Sequence, residues 1–131
     1  MIDNVHERFL PCTLDQAWES LTDIEAHYPG GGFQLPEGLS VGAPVKHMGQ
    51  TYRVGTLEPG RKLWFAVSPK FSHGFTLHQA EGGVLIRHEM RGTLPGVMRL
   101  LWPIVIRRAH DRTLEQLLDS MERRARDVHA G

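Results

Sequence analysis

The sequence predicts an α+β domain in which a curved antiparallel sheet of six to seven strands wraps around a long C-terminal helix, with two short helices after the first strand. Two patterns carry this expectation. Residues 43–92 fall into short runs of period two joined by tight turns, and Leu114, Leu117, Leu118, Met121, Ala125 and Val128 recur at steps of three and four. A chain of 131 residues also has the usual size of one domain and buries roughly two-thirds of its unfolded surface, so residues 1–131 are read as a single unit.

Ile2 to Leu10 alternates, with Val5, Glu7 and Phe9 on one side and His6 and Arg8 on the other, which predicts a first strand ending at Pro11. Thr13 stands three residues before Gln16, the spacing of a capping box, and Leu14, Ala17, Trp18 and Leu21 then share one face of a short helix. Asp23 is expected to cap a second short helix reaching about Tyr28, stopped by Pro29 and the glycines Gly30 to Gly32. From there to Gly42 the chain reads as loop, with Gly30–Gly32 a plain surface loop or a lid. Strands follow at about Ala43–Met48, Thr51–Glu58, Lys62–Ser68, Ser72–Gln79 and Val84–Gly92, and the short turns between them mean an antiparallel meander. The long amphipathic helix, from about Pro103 to Asp127, has Arg112, Glu115, Glu122 and Arg126 on its wet side and a kink or break at Pro103. Its place is the concave side of the sheet, and the space left over is the expected pocket.

Composition excludes several classes of function. Fifteen basic residues balance fifteen acidic ones, so the general attraction that nucleic-acid binders rely on is missing and no nucleic-acid partner is expected. The longest apolar stretch, Val97 to Ile106, is interrupted by Arg99 and Pro103 and falls short of the about 20 residues of a membrane span; it is expected to be core or a lip of the pocket. The single cysteine, Cys12, has no partner within the chain, and no charged-then-apolar leader opens the sequence given, so a cytoplasmic location is expected.

The order of elements, together with Phe9-Leu10-Pro11, "LDQAW" at Leu14 to Trp18, Leu21-Thr22-Asp23 and "TYRVGTLEPGRKLWF" from Thr51 to Phe65, resembles the START-like helix-grip (SRPBCC) superfamily. The nearest branch by these motifs is similar to bacterial polyketide cyclase/dehydrase-like proteins. The resemblance covers essentially the whole chain and implies a cavity for lipids, sterols, quinones, polyketides or plant hormones, with enzymes in the minority. No catalytic residue carries over, because these differ between subfamilies. "AHYPGGGF" stands where the chaperone-activator branch carries a tryptophan-rich segment, which speaks against that branch.

Strand parity supplies the candidate site. With Val84, Ile86 and Met90 inward, His88 is inward too; the same rule places His73 beside Phe75 and Leu77, His47 beside Val45, Tyr52 beside Val54, and Glu7 between Val5 and Phe9. Phe65 joins the apolar lining. On the terminal helix Arg107, His110 and Asp111 share the sector of Leu114 and Met121, which puts Arg107 or His110 near the mouth. One inward histidine is an ordinary core residue with a partner; the group of them is the signal. Buried in an apolar hollow, His73 and His88 are expected to be neutral at pH 7, unless Glu7 stands beside them and holds them charged.

No HExxH, HxH or CxxC spacing is present, and His73 and His78 fall on opposite strand faces, so no metal is expected; no cofactor is expected either, and no GxSxG or GxGxxG occurs. The expected function is therefore binding of an apolar small molecule, as carrier or sensor. The alternatives are a cofactor-free cyclase or dehydratase using the histidines as general acid and base, and a protein-interaction module. Trp18, Trp64 and Trp102 read as packing; Trp64 shares a face with Lys62 and, if exposed, would mark a homodimer contact.

Overall fold

The computed structural model describes residues 2–28, 32–47, 49–93, 96–102 and 107–130. In chain order the elements are β1 (Ile2–Leu10), α1 (Leu14–Thr22), α2 (Ile24–His27), β2 (Phe33–Gln34), β3 (Pro44–His47), β4 (Gln50–Glu58), β5 (Lys62–Ser68), β6 (Phe71–Ala80), β7 (Gly83–Gly92), α3 (Gly96–Leu101) and α4 (Arg107–Ala130). The strands form one antiparallel sheet in the order β1-β7-β6-β5-β4-β3-β2, so the meander runs outward from β7 and the first strand returns to pair with the last. The region read as loop before Gly42 contributes the two-residue β2, paired with β3 through Phe33 opposite His47. It is too short to show a period.

Helix α1 begins with the expected capping box: Gln16 N donates to Thr13 Oγ1 at 3.1 Å, and Thr13 N donates to Gln16 Oε1 at 3.0 Å. Asp23 does not cap α2 with its side chain. It accepts instead from Arg124 Nη1 of α4 at 3.0 Å, tying the short helices to the long one. Helix α4 lays Leu114, Leu117, Leu118, Met121 and Ala125 into one core with Leu10, Leu21, Val45, Val54, Phe65, Leu77, Val84 and Ile86. Pro103, the expected kink, lies outside the described residues, as do Gly30, Gly31 and the Val128 side chain. Within Val97–Ile106, Leu100 and Leu101 are exposed, while Trp102 is buried against Phe71 and Met90.

The inward placement of Val5, Glu7 and Phe9 is wrong. Glu7 is exposed, as are Val5 and Phe9, and the inner face of β1 carries Asn4, His6, Arg8 and Leu10. Directly opposed residues of an antiparallel pair share a face. The register sets His6 against His88, Arg8 against Ile86 and Leu10 against Val84, all inner positions of β7. The polar residues are tolerated there because α4 presents an acidic stripe to β1. Arg8 Nη1 lies 2.7 Å from Asp119 Oδ1 and 3.0 Å from Glu122 Oε1, its Nη2 lies 3.4 Å from Glu115 Oε2, and His6 Nε2 lies 2.9 Å from Asp111 Oδ1. Replacing Arg8 by Met keeps the side-chain length and removes the cation the three acids share, leaving Glu122 to Arg126 and Glu115 to His6. It should cost roughly 1–2 kcal/mol, more than an isolated surface pair because one guanidinium serves three acids. Urea unfolding at low and high salt checks this, with the cost shrinking as salt screens the acids; an unchanged midpoint would mean that the stripe does not hold β1.

On the outer face Trp64 is half-buried. It lies over Gly74, its cross-strand partner, where an added Cβ would come within 2.6 Å of Trp64 Cα and Cγ. Lys62 Nζ and Arg91 Cζ sit 5.2 and 5.9 Å from its ring centroid. Trp64 is thus packed against its own neighbours, as the packing reading expects, and is not the open side chain that a dimer contact would need.

Candidate functional site

Five adjacent strands, β3 to β7, carry rings on one face, and their cross-strand pairs bring the polar residues of that face together. Phe65 of β5 is opposite His73 of β6, and Phe75 of β6 is opposite His88 of β7. The result is a file of rings. Tyr28, at the end of α2, hydrogen-bonds His47 Nε2 through its hydroxyl. Tyr52 Oη lies 2.9 Å from His47 Nδ1 and 3.2 Å from His73 Nε2. A hydroxyl carries one proton, so Tyr52 donates to one imidazole and accepts from the other. His73 Nδ1 meets His88 Nε2 at 3.4 Å, and the His88 ring stands 5.6 Å from that of His110 on α4.

Apolar rings wall the file. Phe65 lies 5.2 Å from His73 and 5.3 Å from Phe33, Phe75 stands edge-on to His88 at 4.7 Å, and Trp102 is 5.6 Å from His110. Phe65 is 0% and Phe75 2% exposed, so these rings occupy the interior between sheet and helix where they stand. The hollow nearest them, about 390 Å³, opens at the β2–β4 edge, with Gln34, Lys46, His47 and Thr51 in its wall. His47 thus brings one end of the file to this hollow.

The electrostatics follow from burial. Desolvation penalises the imidazolium and pulls His47 down to about 4, His73 to about 3 and His110 to about 4; neighbouring imidazoles push His73 and His110 the same way. His88 falls well below its ordinary value for the same two reasons. Burial pushes Tyr28 up to about 12 and raises Tyr52 further. All six groups are neutral at pH 7, each able to donate and accept a hydrogen bond. Among the described residues, His88 Nδ1 and His110 Nδ1 are buried and have no hydrogen-bond partner.

The structure thus brings His47, Tyr52, Phe65, His73, Phe75, His88 and His110 together and leaves out two of the sequence candidates. Glu7 faces solvent on the outer side of β1 and does not contact the histidines, so it cannot hold them charged. Arg107 is 60% exposed and pairs with Asp111, four residues on, at 3.8 Å. Its position at the start of α4 turns the guanidinium away from the interior. The sequence candidates do not include Tyr28, Phe33 and Trp102, which join the file, and parity places His6 outward; His27 is buried apart from the file, linking Ser20 Oγ at 2.9 Å to Ser120 Oγ at 2.8 Å. Among the described residues, one group has donor atoms close enough for a metal ion: His6, His110 and Asp111, within 4.8 Å of one another.

A seven-stranded antiparallel sheet curled against a long C-terminal helix, with two short helices after β1, defines the helix-grip class. No family model and no curated protein matches the chain. Solved structures do. It is similar to DynU16, a protein in the dynemicin biosynthetic locus, with TM-score 0.64 and 19% identity over 92% of this chain, and it spans about half the length of that protein (47%). It is similar to Ara h 8.0201, with TM-score 0.65 and 14% identity, covering 96% of this chain and 98% of that one. It is also similar to the Aha1 dimer of Colwellia psychrerythraea, with TM-score 0.65 and 15% identity over 93% of this chain and 97% of that one. At these identities the likeness shows the fold alone, a helix grip. None of the described helices is long and apolar enough to cross a membrane.

Proposed function

We propose that the protein binds an apolar small molecule bearing a hydroxyl or carbonyl group, of lipid, quinone or polyketide type, as a carrier or sensor. The observation that carries this reading is the file of neutral imidazoles and phenols set in an aromatic wall, with one buried nitrogen, His88 Nδ1, left without a partner. A buried polar atom without a hydrogen bond is costly, and a ligand's polar end would supply the missing bond, its apolar body entering between sheet and helix where the packed Phe65 and Phe75 rings move apart to admit it. Neutral imidazole suits an uncharged oxygen better than an anion. DynU16 belongs to a biosynthetic locus by its own description, which fits a polyketide-type ligand.

The alternative of a cofactor-free cyclase or dehydratase draws on the same rings. Their depressed basicity weighs against it, because a general base works best with a pKa near the working pH, and about 3 to 4 lies well below neutrality. Native mass spectrometry of freshly purified protein tests the binding reading. A retained apolar compound, released on denaturation, is the expected result, and His88→Leu should weaken its retention about tenfold, the worth of one hydrogen bond. A bare mass, together with no thermal shift from a panel of quinones, fatty acids and polyketides, would refute it.

A further inference from the structure

Where β1 meets the first turn of α4, His6 converges with two neighbouring side chains about a hundred residues further along the chain, His110 and Asp111. His6 Nε2 lies 2.9 Å from Asp111 Oδ1, and His110 Nδ1 lies 3.7 Å from the same oxygen. Two ligands bound tetrahedrally at about 2.0–2.1 Å from zinc stand about 3.3 Å apart, so these two separations bracket what a shared ion needs, and all three donor atoms lie within 4.8 Å of one another.

The hydrogen bonds of the protein alone leave this corner incomplete. His6 satisfies Asp111, yet among the described residues His110 Nδ1 is buried with no hydrogen-bond partner although it faces the same carboxylate, and Asn4 Oδ1, on the same face of β1, is buried without a hydrogen bond as well. One cation between His6, His110 and Asp111 would use all three donor atoms at once.

Outer contacts of the kind that orient metal ligands are already in place. Asn4 Nδ2 donates to Asp111 Oδ1 at 3.1 Å, and His6 Nδ1 lies 3.8 Å from Glu115 Oε2, which favours the tautomer that leaves Nε2 free to coordinate. The other Asp111 oxygen faces Arg107 Nε at 3.8 Å, a guanidinium exposed enough to swing away.

We propose that His6, His110 and Asp111 form a binding site for a divalent first-row transition ion such as zinc, bound through His6 Nε2, His110 Nδ1 and a carboxylate oxygen, with a further coordination position open to water or a ligand. Two imidazoles and a carboxylate suit zinc, iron(II) or cobalt(II) and are a poor cage for calcium or magnesium, which prefer oxygen. The site goes beyond the binding of an apolar molecule and does not depend on it.

Zinc titration of untagged, chelator-treated protein, read by competition with a chromogenic indicator, tests this. One equivalent should bind with a micromolar or tighter Kd and raise Tm. Cobalt(II) in its place should give the intense visible absorption of a four-coordinate ion. His110→Gln and Asp111→Asn should each weaken binding at least 100-fold, and Glu115→Gln about 10-fold through its outer contact. His78→Gln, at an exposed histidine of β6, should bind as the wild type does. Circular dichroism of each metal-free variant separates loss of ligand from loss of fold, and Glu115→Gln, on the solvent side of the cluster, retains the test if another variant unfolds. Absence of a micromolar equivalent, or variants that bind as tightly as wild type, would overturn the site.

Discussion

Lowering the pH from 7 to about 4.5 should remove much of the stability of this protein. His73 ionises near 6.5 in an unfolded chain and near 3 in the folded one. The unfolded state therefore takes up protons first, so stability is complete above about pH 6.5 and falls as the pH drops from there toward 3. Each unit of the gap is worth about 1.4 kcal/mol, so by pH 4.5 His73 alone costs about 3 kcal/mol. His47, nearer to solvent and pulled down to about 4, adds a smaller amount in the same direction. Small domains have only about 5–15 kcal/mol to lose. Urea unfolding at pH 7.5, 5.5 and 4.5, followed by tryptophan fluorescence, should show a falling midpoint, and His73→Asn should flatten the slope. A midpoint independent of pH, or histidine resonances that titrate near 6.5 by NMR, would show that the file is not desolvated as described.

Truncating Phe65 to Ala should cost about 3–5 kcal/mol, the range for a fully buried aromatic ring. The ring is 0% exposed and lies within 5.3 Å of Phe33 and 5.2 Å of His73, centroid to centroid. Its loss opens a gap at the middle strand, with neighbours on both sides that cannot all move in. Phe65→Leu keeps most of the volume and should cost about 1–1.5 kcal/mol. The pair of variants reads more than stability. If Phe65 borders open space rather than packed neighbours, no new cavity is created and Phe65→Ala should cost little more than Phe65→Leu. Similar urea midpoints for the two variants would therefore contradict the packed interior.

Much of this architecture is legible in local patterns. The capping box of Thr13 and Gln16, the turns between β3 and β7, and the three- and four-residue spacing of Leu114 to Ala125 each report on a few neighbouring residues, and each matches the fold. Parity also read correctly on β4, β6 and β7, where Tyr52, His73 and His88 alternate with clearly polar outer residues. Sequence alone thereby determined the class of fold and most of the ring file. Tertiary structure decided the face of β1, the exposure of Arg107 and the meeting of His6, His110 and Asp111. On β1 the apolar Val5 and Phe9 point outward, because register with β7 and the acidic stripe of α4 outweigh the few exposed apolar atoms. Period reveals that a strand has two faces; which of them is buried depends on partners about a hundred residues away, and no local pattern encodes those.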